Sequence, residues 1–273
     1  MPNIITRAIF GLIYITAIIF ASLYSPLSLV ILLGVFTALC VWELTQILQF
    51  DNKLYLAGTI LVSAYVFYLY ANKFWISGGM YDTRWVNFLP ALLFVLSLII
   101  IFRNPTELYF DSSKLIFTVV YAVLPFALIF ATVKEYHINN FESINPIIAL
   151  FVLLWCSDTF AYLTGKYFGK RKFSYISPNK TVEGLIGGAF FTIIAGIIIN
   201  YNFPRLNGNW IIISIIIALV APIGDLAESK LKRVFGVKDS GKLIPGHGGF
   251  LDRLDSFLPA AVALYIYFLF IQS

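Results

Sequence analysis

The chain has 273 residues, of which 60% are hydrophobic and 12% are charged, and its formal net charge is +5 at pH 7. Soluble domains are roughly one-quarter charged, so this composition excludes a water-soluble globule and predicts an integral membrane protein. Membrane topology also explains the positive charge, and we expect no nucleic-acid partner. Cys40 and Cys156 both lie in apolar runs, which disfavours a disulfide scaffold or a zinc site.

Nine apolar runs are about long enough to cross the hydrocarbon core as helices, for which roughly 17 to 25 residues are needed. The strict alternation of apolar and polar residues that is typical of membrane β-barrels does not occur in these runs. We therefore predict an all-α integral membrane protein, a polytopic bundle of about nine transmembrane helices. The predicted spans are residues 4–23, 27–48, 54–70, 85–102, 113–133, 144–163, 182–201, 210–226 and 257–271.

Positive charges are distributed unevenly between the two sides of this predicted bundle. If the N-terminus shares one side with the connections after the even-numbered spans, that side holds all but four of the 19 lysines and arginines. The four exceptions are Lys73, Arg84, Lys134 and Arg205. Cytoplasmic loops are enriched in these residues, so we predict a cytoplasmic N-terminus, an external C-terminus and a multi-pass protein of the cell's inner (plasma) membrane. The first run is longer than a signal-peptide core and lacks a small-residue cleavage site, so we expect it to be a span.

Polar residues are concentrated towards the C-terminus. We therefore predict a transmembrane scaffold at 1–140 and a transmembrane catalytic region with cytoplasmic loops at 141–273. Glu43 is the notable polar residue of the scaffold, and a carboxylate within a span is a functional candidate. Because Glu43 lies about one turn from the end of its span, its side chain could also simply reach the membrane interface.

Two charged residues border the connection between the sixth and seventh spans. Asp158 follows an apolar run, where a charge costs up to about 3 kcal/mol, so we expect either a structural ion pair or a role in a metal or phosphate site. Ser177 and Pro178 have the pattern of a helix start, which predicts that Lys180 lies in the first helical turn. A cation there favours a bound phosphate, although this basic loop could instead contact anionic lipid headgroups.

Small residues recur every four positions in the seventh span. They are Gly184, Gly188, Thr192 and Gly196. Small residues allow helix backbones to approach closely in lipid, so this stripe predicts a contact with another helix or with a second subunit.

The densest group of polar residues surrounds the connection between the eighth and ninth spans. Asp225, Ser229 and Lys232 share one helical face, and Asp252 and Asp255 share another. Because the two spans are antiparallel, Asp225 and Asp252 can converge at the cytoplasmic surface. Carboxylates without nearby cysteines suit Mg²⁺ better than zinc.

Between these two acidic groups lie Lys238, Asp239 and a glycine-rich segment around His247. Glycines permit an unusual backbone close to a ligand. Acids, bases, a histidine and several glycines in such a short stretch of an apolar protein indicate phosphoryl or nucleotidyl transfer, in which a metal and cationic side chains neutralise developing charge.

This segment resembles the signature of the phosphatidate cytidylyltransferase (CDP-diglyceride synthase) family without a gap. The matching positions are Ser229, Leu231, Lys232, Arg233, Lys238, Asp239, Gly241, Ile244, Pro245, His247, Gly248, Gly249, Phe250, Asp252, Arg253, Leu254 and Asp255. Further matches upstream are Ser157, Asp158, Thr159, Ala161, Tyr162, Ser177, Pro178, Lys180, Thr181, Glu183 and Gly184. The chain departs from the family at Asn179 and Val182, where a second lysine and a tryptophan are usual.

The resemblance implies that the phosphate of phosphatidic acid attacks the α-phosphorus of CTP, giving CDP-diacylglycerol and pyrophosphate with Mg²⁺. It implies acidic metal ligands at Asp225 and Asp252, to which we add Asp255, and a second cation is an option. We expect Lys180, Lys232, Lys238 and Arg253 to screen charge, supported by Asp158, Ser229, Asp239 and His247. The partners would be CTP, phosphatidic acid and the bilayer, with a homodimer as an option.

Two alternatives stay open at this point. A CTP-dependent kinase of a polyisoprenoid alcohol would share the membrane fold and the nucleotide, but it would need a base for a neutral hydroxyl group. A membrane transporter would fit the number of spans, but it predicts internal repeats and polar residues near the middle of the membrane. The sequence has no evident repeat, and its charges lie at one face.

Overall fold

A computed structural model describes residues 2–76, 84–103, 105–132, 145–241 and 248–271. These ranges form helices and connecting loops, together with an isolated antiparallel β-bridge between Lys172 and Thr181. Short 3₁₀ turns lie at Pro105–Tyr109 and Leu251–Arg253, and a π-helical turn at Val119–Val123 joins two helices. The helices are α1 (Pro2–Tyr24), α2 (Pro26–Leu48), α3 (Lys53–Ile76), α4 (Arg84–Arg103), α5 (Asp111–Thr118), α6 (Leu124–Thr132), α7 (Pro146–Phe168), α8 (Val182–Asn202), α9 (Trp210–Val234) and α10 (Phe257–Ile271).

Each of the nine predicted apolar runs coincides with a helix, and the fifth run corresponds to α5, the π-helical turn and α6 together. In the described ranges, six segments are long and apolar enough to cross a membrane. The apolar helical segments Ile13–Tyr24, Phe88–Arg103 and Phe257–Ile271 are shorter. An all-α, multi-pass membrane protein is therefore confirmed, while the number nine stays a prediction.

Local sequence signals set several helix starts. Ser25 caps α2, because its hydroxyl accepts a hydrogen bond from the Ser28 amide at 3.1 Å and the Ser28 hydroxyl accepts one from the Ser25 amide at 3.0 Å. Asn145 caps α7 in a similar way and is followed by Pro146 at the first helical position. These caps satisfy amides that would otherwise lack partners at the helix ends.

The last helix, α10, lies at the centre of the bundle and packs against α4, α6, α7 and α9. Its first residue, Phe257, is 1% exposed, and its ring stacks on Phe151 of α7 at 5.0 Å between centroids. The Phe126 ring of α6 also packs against Phe257, with 5.1 Å between the ring centroids. The start of α10, and therefore the turn just before it, is fixed by packing on two sides.

The stripe of small residues on α8 is a helix-packing surface within the chain. A Cβ atom at Gly184 would lie 2.7 Å from the Ala161 carbonyl oxygen of α7, and one at Gly188 would lie 2.9 Å from the Ser157 carbonyl oxygen. Farther along, Gly196 lies against Ser214 of α9. The predicted helix contact is confirmed, and these positions face neighbouring helices of the same chain.

Candidate active site

A polar cavity of about 650 Å³ lies where the last part of α7, the start of α8, the second half of α9 and the turn before α10 come together. Successive helices run in opposite directions, so these four parts of the chain meet at one end of the bundle. The charged residues that line the cavity are Asp158, Lys166, Lys180, Asp225, Asp252, Arg253 and Asp255. The predicted convergence of Asp225 and Asp252 is therefore confirmed.

The start of α8 differs from the prediction. Thr181 caps the helix by accepting a hydrogen bond from the Gly184 amide at 3.1 Å, so Lys180 precedes the first turn and Ser177 is no cap. The bridge to the preceding loop is the physical reason, because Phe173 donates its amide to the Lys180 carbonyl at 2.8 Å and keeps this stretch extended. The predicted place of Lys180 in the helix was wrong, but its side chain lines the cavity.

Lys180 forms an ion pair with Asp225 of α9 across the cavity. Both side chains are 28% exposed, so solvent screens the pair only in part. Burial lowers the pKa of Lys180 below its usual value, and the carboxylates of Asp255 and Asp158 oppose that shift. The pair places a cation and an anion where α8 begins beside α9. A phosphate could replace Asp225 as the partner of Lys180, and a metal ion could replace Lys180 as the partner of Asp225.

The basic loop before Lys180 is held by Glu183. The amides of Lys170 and Arg171 donate to its Oε2 at 3.0 and 3.1 Å. The loop therefore has a defined backbone, and the side chains of Lys170, Arg171 and Lys172 are exposed.

The face of α9 that was predicted from helical spacing makes two groups of contacts, one around Asp225 and one around Lys232. The Ser229 hydroxyl lies 3.4 Å from Asp225 Oδ1, which places Ser229 behind the cavity-lining carboxylate. Lys232 forms an ion pair with Asp252, and its Nζ lies 3.2 Å from Glu228 Oε1. Glu228 is 1% exposed and was missed by the sequence analysis, although its position four residues before Lys232 is a usable signal.

Asp252 lies in the short turn Leu251–Arg253 and accepts several hydrogen bonds. Its Oδ2 accepts from the Gly249 amide at 2.7 Å and from the Ser240 amide at 3.2 Å. Burial raises the pKa of this carboxyl, but hydrogen bonds with Glu228, Lys232 and the Gly249 amide outweigh burial and hold the pKa below its usual range. Asp252 is therefore an ionised carboxylate with defined hydrogen-bond partners at the cavity wall.

Asp255 lies three residues farther on, in the turn that leads into α10. Burial raises the pKa of its carboxyl above the usual range, while the charge of Lys180 opposes the shift. A cation placed beside such a poorly solvated carboxyl would stabilise its ionised form.

The other predicted site residues are placed as follows. Asp158 lines the cavity from α7, and Arg253 lines it from the turn before α10. Lys238 and Asp239 lie on the exposed connection after α9 and are not among the residues that line the cavity. His247 lies outside the described residues. The roles assigned to all these side chains stay predictions.

The predicted magnesium ligands surround the cavity, but they do not form a compact cluster. Within the described ranges, no group of three histidine, cysteine, aspartate or glutamate side chains is close enough to hold a metal ion. Instead, Lys180 pairs with Asp225 and Lys232 pairs with Asp252. A lysine thus already lies beside two of the three predicted metal ligands, Asp225 and Asp252.

Comparisons with known proteins show the family of the chain. The sequence profile of the Cytidylyltransferase family matches residues 5–271. The chain belongs to this family. A phosphatidate cytidylyltransferase of Haemophilus influenzae is 31% identical over 282 aligned positions, which cover 97% of the chain and 98% of that protein. A Staphylococcus aureus protein of the same name is 41% identical over 183 residues, which cover 66% of each chain.

Membership of the cytidylyltransferase family makes the chain a nucleotidyltransferase, and the predicted family and enzyme class are confirmed. A third relative, the phosphatidate cytidylyltransferase of Staphylococcus haemolyticus, is 37% identical over 174 residues, or 62% of the chain and 64% of that protein. The alternatives of a polyisoprenoid-alcohol kinase and a transporter are not favoured.

Proposed function

We propose that the chain transfers CMP from CTP to phosphatidic acid, forming CDP-diacylglycerol and pyrophosphate, a step of phospholipid biosynthesis. The observation that carries this function is the cavity at the helix ends, which four aspartates share with Lys166, Lys180 and Arg253. Family membership and the names of the relatives support the same reaction. CTP and phosphatidic acid are therefore the substrates, and the bilayer surrounds the enzyme.

The reaction joins two anions, so the main task of the protein is to neutralise charge and to align them. A phosphate oxygen of phosphatidic acid bonds to the α-phosphorus of CTP, while the bond from that phosphorus to the oxygen bridging the α- and β-phosphates breaks. Pyrophosphate leaves with that electron pair. A phosphate monoester is largely ionised at pH 7, so the nucleophile needs no general base.

Three cations carry the electrostatic part of this mechanism. Lys180 and Arg253 project into the cavity and bind phosphate oxygens, and Lys232 holds Asp252 in place from behind. Donors fixed before the reaction stabilise the charge that develops in the transition state without reorganisation at the moment of transfer. Lys238, Asp239 and His247 stay proposed contributors from the connection between α9 and α10.

Magnesium is the proposed cofactor, and a second cation is a further option. The donor set fits a hard cation, because the acidic groups among the described lining residues are aspartate carboxylates. Asp225, Asp252 and Asp255 are the proposed ligands, and because they form no compact group in the described ranges, they would have to approach one another to hold one ion. Bound there, Mg²⁺ would neutralise charge on the phosphates of CTP.

The proposed topology has nine spans, a cytoplasmic N-terminus, an external C-terminus and an active site that faces the cytoplasm from the inner membrane. The uneven distribution of lysine and arginine supports this orientation. A homodimer stays an option. The small-residue stripe of α8 gives it no support, because those residues contact α7 and α9 within the chain.

The test is lipid product analysis with detergent-purified protein, labelled CTP, phosphatidic acid and Mg²⁺, with Asp225→Asn as the inactive control. The expected products are CDP-diacylglycerol and pyrophosphate in equal amounts, formed only with Mg²⁺. Well-folded protein that leaves CTP intact, or that releases CDP with a phosphorylated alcohol, would refute the proposal.

A further inference from the structure

Glu43 of α2 contacts the connection between α9 and α10, although it belongs to the predicted N-terminal scaffold. Its side chain is buried, with the residue 2% exposed. Oε1 accepts a hydrogen bond from the Phe250 amide at 2.8 Å, and Oε2 accepts from the Leu251 amide and from the Ser240 hydroxyl, each at 2.8 Å. The carboxylate is therefore held inside the protein by three hydrogen bonds, and whether it lies at the depth of the membrane interface stays a prediction.

The amides of Phe250 and Leu251 begin the turn Leu251–Arg253, which has no side-chain cap of its own. The first amides of a helical turn have no acceptor within the turn, and a buried amide left unpaired costs free energy. Glu43 supplies the missing acceptors from a different helix. It thereby fixes the start of the turn that carries Asp252 and Arg253.

Glu43 and Asp252 both accept hydrogen bonds from described residues on either side of positions 242–247. The Ser240 hydroxyl donates to Glu43, while the Ser240 amide donates to Asp252 at 3.2 Å. Beyond these positions, the Gly249 amide donates to Asp252 at 2.7 Å and the next two amides donate to Glu43. Loss of the Glu43 carboxylate would therefore remove an acceptor from Ser240 and from the two amides that follow Gly249.

Gly241 and Gly249 lie directly against the Glu43 carboxylate. A Cβ atom at Gly241 would lie 2.8 Å from Glu43 Cδ, and one at Gly249 would overlap Glu43 Oε2 and the Ser240 hydroxyl. A side chain at either position would therefore displace the Glu43 carboxylate. The Phe250 ring packs at an angle against Phe36, also on α2, with 4.8 Å between centroids. Phe250 and Leu251 therefore pack directly on α2.

We propose that Glu43 is a positioning residue for nucleotidyl transfer. It acts by fixing the turn Leu251–Arg253 so that Asp252 and Arg253 face the cavity. This inference rests on the proposed function of the cavity. Glu43 is not among the residues that line the cavity, so it acts through Asp252 and Arg253. The scaffold half of the chain thereby contributes directly to the geometry of the site.

The test compares full-length Glu43→Gln and Glu43→Asp with Thr37→Val as a matched control, all purified in detergent. Thr37 is a buried polar residue of α2 whose hydroxyl bonds to the Leu33 carbonyl of its own helix at 2.7 Å. Glutamine offers one acceptor oxygen and turns an NH₂ group towards the amides. We expect kcat to fall about 10- to 100-fold, the usual scale when a residue that orients a ligand is changed.

Two further readouts separate positioning from general damage to the fold. Hydrogen exchange of the peptide that spans 248–256 should be faster in Glu43→Gln and unchanged in Thr37→Val, with similar thermal midpoints. Glu43→Asp keeps two acceptor oxygens, so it should recover part of kcat and part of the protection.

Unchanged protection with kcat within about twofold of the parent would overturn the inference. Equal losses in Glu43→Gln and Thr37→Val would also overturn it, because the effect would then be general core damage. If the parent protein forms no CDP-diacylglycerol, the proposed function fails, and the inferred role in transfer fails with it. Hydrogen exchange of Glu43→Gln would in that case still decide whether Glu43 orders the turn.

Discussion

Lys232 of α9 and Asp252 of the turn before α10 form an ion pair, although they lie 20 residues apart in the chain. The pair joins α9 to this turn. The two side chains are 11% and 13% exposed, so water screens them weakly. Removing one partner of such a pair leaves the other charge buried and poorly compensated. The pair therefore couples the stability of this helix junction to the chemistry of the cavity.

Asp252→Asn should lower kcat at least about 100-fold while the protein still inserts into the membrane, because a neutral amide replaces an ionised ligand. The measurement is CDP-diacylglycerol formation by protein recovered from membranes in normal amount. Asp51→Asn is the matched control, since Asp51 is 87% exposed in the connection between α2 and α3. Substantial turnover by Asp252→Asn would remove Asp252 from the proposed metal site.

Lys180→Ala should lower kcat about 100-fold, because it deletes a cation aimed at the reacting phosphates, and Lys180→Arg should lose less. Steady-state kinetics with varied CTP would measure both. Lys172→Ala removes an exposed cation from the same loop and should stay close to the parent. Similar losses for Lys172→Ala and Lys180→Ala would mean that the basic loop acts only through its overall charge.

Removal of divalent cations should abolish transfer, and Mg²⁺ should restore it, because Asp225, Asp252 and Asp255 surround the cavity with carboxylate oxygens. EDTA treatment followed by a Mg²⁺ titration is the measurement. Asp255→Asn should need more Mg²⁺ for half-maximal activity than the parent needs. Full activity in EDTA would contradict the proposed cofactor.

Gly188→Leu should lower stability by about 1–3 kcal/mol, the usual cost of overpacking, because a Cβ there would lie 2.9 Å from the Ser157 carbonyl oxygen. Thermal unfolding in detergent, followed by size-exclusion chromatography, would show the shift. Gly11→Ala on α1 is the control, since a Cβ at Gly11 meets nothing within 4 Å. An unchanged midpoint for Gly188→Leu would mean that α7 and α8 are not tightly packed at this level.

Most of the fold could be predicted from the sequence, because in lipid a long apolar run has one favourable way to satisfy its backbone. The contact between Asp225 and Ser229 followed from helical spacing, and the approach of Asp252 to Asp225 followed from the antiparallel order of α9 and α10. The first depends on helical periodicity and the second on the order of the spans, and a single sequence contains both.

Contacts between distant parts of the chain could not be predicted in this way. Ser177 and Thr181 both suit a helix cap, and the bridge between Thr181 and Lys172 decides between them. The bonds of Glu43 to Ser240 and Leu251 join positions 197 and 208 residues apart. Nothing in the sequence near Glu43 indicates these partners, since the donors are a hydroxyl and two backbone amides.

The location of the cavity at the ends of membrane-length helices has a consequence for how the enzyme is saturated. Phosphatidic acid is confined to the two-dimensional bilayer, whereas CTP diffuses in three-dimensional solution. The rate should therefore follow the mole fraction of phosphatidic acid among the surrounding lipids. Diluting the neutral lipid and the phosphatidic acid together in buffer keeps this mole fraction constant, so it should not change the rate. A cell can then adjust flux through this step by changing the lipid composition around the protein, with no change in CTP concentration.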